Sequence, residues 1–122
     1  MDTKKLNEAM EFLKSEIGAA LITSGVIKYP DGISILSHNP NPKIAALTAK
    51  MTQVIEKTLD AGNMKLGKYY LFHLTGNKLA LAIPLGEYIW GMIVDMEKTQ
   101  LGYLLHVVID ELITKFEEAI AG

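Results

Sequence analysis

The chain has 122 residues, 49% of them hydrophobic and 21% charged, which is typical of one ordinary globular domain (residues 1–122) with a sizeable core. Its net charge is −2 and it has no basic stripe, which argues against a nucleic-acid partner. All 12 basic residues are lysines, so no guanidinium group is present to clamp a phosphate or carboxylate.

The chain carries no signal for export or for membrane insertion. It has no cysteine, which excludes disulfides and thiolate metal sites and suits a reducing compartment. The first eighteen residues alternate charged and apolar positions, unlike a secretory signal, and the apolar runs are too short to span a bilayer. We therefore expect a cytoplasmic protein without a membrane span.

The first half of the chain predicts a helix, a β-hairpin and a second helix. Apolar residues at helical spacing predict helix one over Thr3–Ile17. AALITSGVI and ISILSH predict two strands, joined by the turn YPDG. Asn41 is the predicted cap of helix two, which starts at Pro42 and ends near Gly62. Its large apolar stripe is Ile44, Leu47, Met51, Ile55 and Leu59, and the small residues beside it are Ala45, Ala46, Thr48, Ala49 and Thr52.

The second half predicts three strands and a last helix. The strands are KYYLFHL, KLALAIPL and YIWGMIVD, with a hairpin signal at Gly76–Asn77 between the first two. Thr99 is the predicted cap of the last helix, whose stripe is Leu101, Leu105, Val108, Leu112, Phe116 and Ile120. The order α-β-β-α-β-β-β-α predicts an α+β fold with helices on both faces of a mostly antiparallel sheet.

The stretch GNMKLGKYY contains the spacing of a phosphate-binding P-loop at Gly62, Gly67 and Lys68. A P-loop leaves a strand and enters a helix, because the helix N-terminus holds the phosphate. Here the predicted context is reversed, and Tyr69 stands where a magnesium-binding Ser or Thr is required. We interpret the stretch as a helix end followed by a loop.

Other reactive residues form no recognisable motif. The histidines are His38, His73 and His106, and the candidate serine nucleophiles are Ser24, Ser34 and Ser37. The histidines lack ligand spacing and the serines lack a G-x-S-x-G elbow. Asp95 and Glu97 precede the last helix, where carboxylates usually act as partners of the helix dipole. The sequence thus predicts no catalytic residue, no cofactor and no metal site.

Four stretches, IGAALITSGV, DGISIL, IAALTAKM and TQLGYLL, together with the element order, resemble the Roadblock / dynein light chain family. That family includes bacterial proteins paired with small polarity GTPases. The resemblance covers nearly the whole chain, although the first hairpin, SGVIKYPDG, is longer than is usual. It implies a five-stranded antiparallel sheet with helices one and three on one face and helix two on the other.

The resemblance also implies a non-enzymatic dimer that binds or regulates a small Ras-like GTPase. In the family the third strand pairs with its partner copy, making a ten-stranded sheet, and the second helices pack together. The implied interface residues here are Tyr69, Tyr70, Leu71, Phe72, His73, Ala45, Thr48, Ala49 and Thr52. The strand KYYLFHL is bulky on both sides, so it is either a covered central strand or an edge that needs a partner.

A small-ligand sensor of PAS-like or profilin-like shape is the alternative function. A sensor encloses a cavity with a few convergent polar groups. The sequence does not identify such groups, although a buried His73 or Trp90 could serve. An enzyme has no motif in its favour.

Overall fold

The computed structural model describes all 122 residues, and its five strands form one antiparallel sheet. The strands are β1 (Leu21–Lys28), β2 (Ile33–His38), β3 (Tyr70–Leu74), β4 (Lys78–Leu85) and β5 (Tyr88–Asp95). Their order across the sheet is β2-β1-β5-β4-β3. The predicted hairpin at Gly76–Asn77 is confirmed, since both residues have the positive φ (81° and 55°) that such a tight turn requires.

Two helices begin where the sequence predicts. Helix α1 is Thr3–Ile17, and the Asp2 carboxylate accepts a hydrogen bond from the Lys5 N–H at 3.1 Å. Helix α2 is Pro42–Ala61, and the Asn41 side chain accepts from the Ile44 N–H at 3.3 Å. A 3₁₀ turn at Gly18–Ala20 shortens the first predicted strand. These caps satisfy N–H groups that a helix start leaves without partners.

The C-terminal helix (residues 101–121) differs from the prediction at its start. It is α-helical at Leu101–Tyr103, π-helical at Leu104–Ile109 and α-helical at Asp110–Ala121. Thr99 is not its cap, because the first backbone bond runs from the Leu104 N–H to the Gln100 carbonyl (2.9 Å). The wider π turns shift the phase of the apolar stripe, so that Leu101 is 48% exposed.

The larger part of the core lies between the sheet and the pair formed by α1 and the C-terminal helix. Trp90 and Phe116 are fully buried there, and their rings pack edge to face with centroids 5.3 Å apart. The Trp90 Nε1–H donates to Ser24 Oγ at 2.8 Å, and Ser24 Oγ donates to the Gly91 carbonyl at 3.0 Å. The polar atoms of this core are therefore satisfied internally.

Helix α2 covers the opposite face of the sheet through small residues, including some that the resemblance implies for a dimer interface. Ala49 and Thr52 are 5% and 0% exposed, whereas Leu47 of the large stripe is 55% exposed. A Cβ on Gly91 would lie 3.2 Å from Thr48 Cγ2, so helix and sheet are in close contact. Thr48 approaches the sheet closely at Gly91, which has no side chain of its own.

Candidate functional site

Strand β3 forms one open edge of the sheet. It pairs only with β4, in a register that places Tyr70 opposite Ala82 and Leu71 opposite Leu81. The two strands with equally apolar sequences, β1 and β5, lie at the centre instead. Of the two positions considered for the third strand, the structure therefore shows the edge, and the strand starts at Tyr70 rather than Lys68.

The edge presents apolar side chains to solvent. Tyr70, Phe72 and Leu74 lie on the α2 side of the sheet, because they are opposite or in phase with Ala82 of the α2-side core. Phe72 is 37% and Leu74 is 38% exposed. The strand contains no lysine or proline to discourage pairing. An edge of this kind is a template for another strand.

Helix α2 carries a second apolar patch on the same side of the sheet. Leu47, Met51 and Val54 are spaced by one helical turn and are 55%, 37% and 49% exposed. Tyr70 Oη and Thr52 Oγ1 share a hydrogen bond of 2.6 Å, which holds β3 beside α2. We call the five residues Leu47, Met51, Val54, Phe72 and Leu74 the α2–β3 surface.

The interface residues expected on α2 lie elsewhere. Ala49 and Thr52 are buried against the sheet of their own chain, and Ala45 and Thr48 are half-buried. Ala49 and Thr52 are therefore covered by their own sheet, and the exposed large side chains Leu47, Met51 and Val54 are more available to a partner. The small and the large residues of α2 are both at helical spacing in the sequence. Spacing alone does not show which of the two sets faces the sheet.

Tyr29 and Tyr70 lie near Glu56 of α2. Burial, then a hydrogen bond and the charge of Glu56, raise the pKa of Tyr29 to about 12. Burial raises the pKa of Tyr70, its hydrogen bond with Thr52 lowers it by less, and the charge of Glu56 adds a smaller increase. Both phenols therefore stay neutral to a higher pH than a free tyrosine does.

We expect the free energy of unfolding to fall as pH rises from 10 towards about 12. In this window the unfolded tyrosines lose their protons first, so the folded state binds more protons and stability decreases with pH. Tyrosinate absorbance in native protein and in urea measures the two titrations. Tyr29→Phe should remove part of the difference, and identical titrations in the two states would contradict the expectation.

Three candidate serines, Ser24, Ser34 and Ser37, line one cleft beside α2, and the remaining candidate residues are dispersed. Gly62 follows the end of α2 and Lys68 precedes β3, which is the reverse of a P-loop. Asp95 accepts from the Glu97 N–H at 3.0 Å in the turn after β5. His73 is exposed and the Trp90 N–H is already bonded, so neither is available to line a sensor cavity. No group of three or more histidine and carboxylate side chains could hold a metal ion.

A cleft that the sequence analysis missed lies between the first turns of α2 and strands β1 and β2. Its volume is about 220 Å³. The floor includes Gly25 and Gly91, which are paired across β1 and β5, and the walls include Ser34, Ser37 and Ala45. None of the lining residues is charged. The only indication of the cleft in the sequence was the presence of Gly25 and Gly91. Their pairing depends on the order of strands in the sheet, which the sequence does not show.

The sheet order, the hairpins and the placement of the helices are those of the Roadblock/LC7 fold. No protein-family model matches the chain, and no curated protein matches it. Solved structures do match. MglB of Myxococcus xanthus aligns with a TM-score of 0.81 at 14% identity, over 97% of this chain and 89% of that one.

Two further structures agree on the fold. A Roadblock/LC7 domain from Streptomyces avermitilis aligns with a TM-score of 0.74 at 10% identity, over 92% of this chain and 97% of that one. MglB in a tetrameric arrangement aligns with a TM-score of 0.70 at 17% identity, over 96% and 90%. The fold that the resemblance implied is confirmed. None of the helices is long and apolar enough to cross a membrane.

Proposed function

We propose that the chain is a non-enzymatic, homodimeric interaction module that scaffolds or regulates a small Ras-like GTPase. The observation that carries the proposal is the α2–β3 surface, in which an unpaired apolar edge and an exposed apolar helix stripe lie on one side of the sheet. Pairing β3 with its copy would satisfy the edge and bring the two α2 stripes near each other. A stable dimer of this kind buries about 800 Å² per partner.

The likeness of fold supports a binding role rather than catalysis. The sequence resembles a family in which many members bind such GTPases, and one protein of this fold, MglB, has a tetrameric arrangement. The candidate serines line one cleft, but none of them is hydrogen-bonded to a histidine that could act as a base. The sensor alternative has less support, because the cleft is open along β2 and the polar groups expected to line a cavity are exposed or already bonded.

If a GTPase is bound, its hydrolysis is altered indirectly or not at all. Activating proteins often supply an arginine in trans to the transferred phosphate, and this chain has none. Lysine is a poorer substitute, because it is a hydrated point charge without a bidentate fork. The dimer would instead favour one state of the partner's switch loops, which is a population shift.

Single-turnover hydrolysis by the cognate GTPase tests this mechanism, with each lysine changed to alanine at saturating concentration. We expect no variant that binds normally to lose a large share of any acceleration. Loss of about a thousandfold in one such variant would identify a catalytic lysine and contradict an indirect effect on hydrolysis.

Calorimetry of the protein alone should show no saturable heat with ATP or GTP. Nucleotide binding that is lost in Lys68→Ala would restore the P-loop hypothesis.

A further inference from the structure

The sheet has a second open edge at β2, on the side away from β3. Strand β2 pairs only with β1, and it contains neither lysine nor proline. Ile33 and Ile35 are 58% and 39% exposed. One bulge, between Val26 and Ile27 of β1, leaves Ile35 without an opposite residue. Apart from this bulge, the edge lacks the features that usually protect it from pairing.

The uncharged cleft opens beside this edge. Ser34 and Ser37 of β2 are exposed on its wall, and Ala45 and Thr48 of α2 face them. Helix α2 packs mainly on β1 and β5, and the cleft beside β2 is partly open to solvent. An open edge and an adjoining hollow are the two parts of a strand-addition site, in which main-chain bonds supply affinity and a pocket selects alternate side chains.

We propose that β2 and the cleft bind an extended peptide segment of a partner protein as a sixth strand. The inference does not depend on the proposed GTPase or on pairing through β3. Alternate side chains of the bound segment point towards the α2 side, and one of them enters the cleft. That side chain is uncharged, because the lining residues offer no charged partner, and a volume of about 220 Å³ has room for a branched aliphatic group.

The charge near the cleft indicates which residue the bound segment should carry next to that side chain. The end of the cleft near Pro40 and Pro42 is the N-terminus of α2, whose first turn holds no acidic residue and includes the exposed Lys43. The positive end of the helix dipole and the lysine favour a carboxylate there. The preferred occupant is therefore a segment with an acidic residue beside its alternating apolar positions.

A second copy of the chain fits the cleft less well. In an antiparallel β2–β2 pair, the residues brought beside the cleft would be Ser34 and Ser37 of the other copy. These side chains are small, so the volume would stay unfilled. A partner segment with a larger apolar side chain would fill it.

The test is an amide NMR titration of the full chain with a short synthetic peptide whose ends are blocked. Its sequence is one glutamate followed by alternating valine and threonine. We expect saturable shifts confined to Ile33–His38 and to the first turns of α2, with none in Tyr70–Leu74. No saturable shift up to about 1 mM peptide, or shifts at β3 instead, would overturn the proposal.

Two N-methylated peptides supply the matched control. Methyl groups on one alternate set of amides remove the donors that face β2, whereas methyl groups on the other set leave them intact. The first peptide should bind at least about tenfold more weakly and the second unchanged. Equal binding by both would mean that the cleft holds a side chain without strand addition, and the proposal would then be wrong.

A pair of protein variants tests the cleft itself. Ala45→Leu fills the hollow and should weaken binding about tenfold, whereas Ala46→Leu, on the neighbouring exposed residue, should have no effect. Shifts in β2 that depend on protein concentration without peptide would show that a second copy occupies the edge, which also contradicts the proposal. The peptide comparison remains decisive if Ala45→Leu does not fold.

Discussion

Phe72→Lys is expected to convert the dimer to a monomer at micromolar concentration. Phe72 is exposed in the middle of the unpaired β3 edge, on the side where Leu47 and Met51 of α2 are also exposed. In a dimer joined through this edge, a lysine here would be desolvated without a counter-charge. Leaving a buried charge unpaired costs about 3–5 kcal/mol, which raises the dissociation constant by two orders of magnitude or more. Sedimentation equilibrium measures the change.

Ile33→Lys is the matched control. It introduces the same charge at an exposed apolar residue on the opposite edge of the sheet, at β2. We expect this variant to sediment as the parent does. A monomeric parent protein, or a dimer lost in Ile33→Lys and kept in Phe72→Lys, would contradict pairing through β3.

Phe116→Ala is expected to cause a large loss of folding stability. Phe116 is fully buried, and its ring packs edge to face on Trp90 with centroids 5.3 Å apart. Removing a buried phenylalanine ring costs about 3–5 kcal/mol, because the lost contacts and the remaining cavity add together. That is a large share of a typical stability of about 5–15 kcal/mol. Urea unfolding of the two proteins measures the difference.

Val107→Ala is the control for this variant. Val107 lies in the same C-terminal helix and is 50% exposed. Its truncation should change stability by less than about 0.5 kcal/mol. Similar losses from both substitutions would mean that the C-terminal helix does not pack on the sheet as described.

Element order and most boundaries followed from local chemistry. Asn41 with Pro42 marks the start of α2, and Gly76–Asn77 marks the β-hairpin, because each needs only residues near in sequence. Thr99 is an exception among these predicted boundaries. It has the side chain of a cap, but the helix begins after Gln100, and a π segment follows that no local pattern signalled.

The orientation of α2 could not be predicted, because it depends on the opposite surface. Periodicity shows two adjacent sets of residues, and hydrophobicity alone favours burying Leu47 and Met51. The paired Gly25 and Gly91 leave the sheet without side chains under the helix, and Thr48 lies against Gly91 there. That pairing joins residues far apart in sequence. The cleft beside β2 escaped prediction for the same reason.

Hydrogen exchange of the β3 amides at several protein concentrations tests whether two copies pair through β3. In a dimer joined through β3, the N–H groups that point away from β4 become hydrogen-bonded across the interface and exchange slowly. We expect the slow exchange of the outward β3 amides to be lost on dilution, whereas the outward amides of β2 exchange rapidly at every concentration. Rapid exchange of the outward β3 amides in a protein that sediments as a dimer would show that another surface joins the two copies.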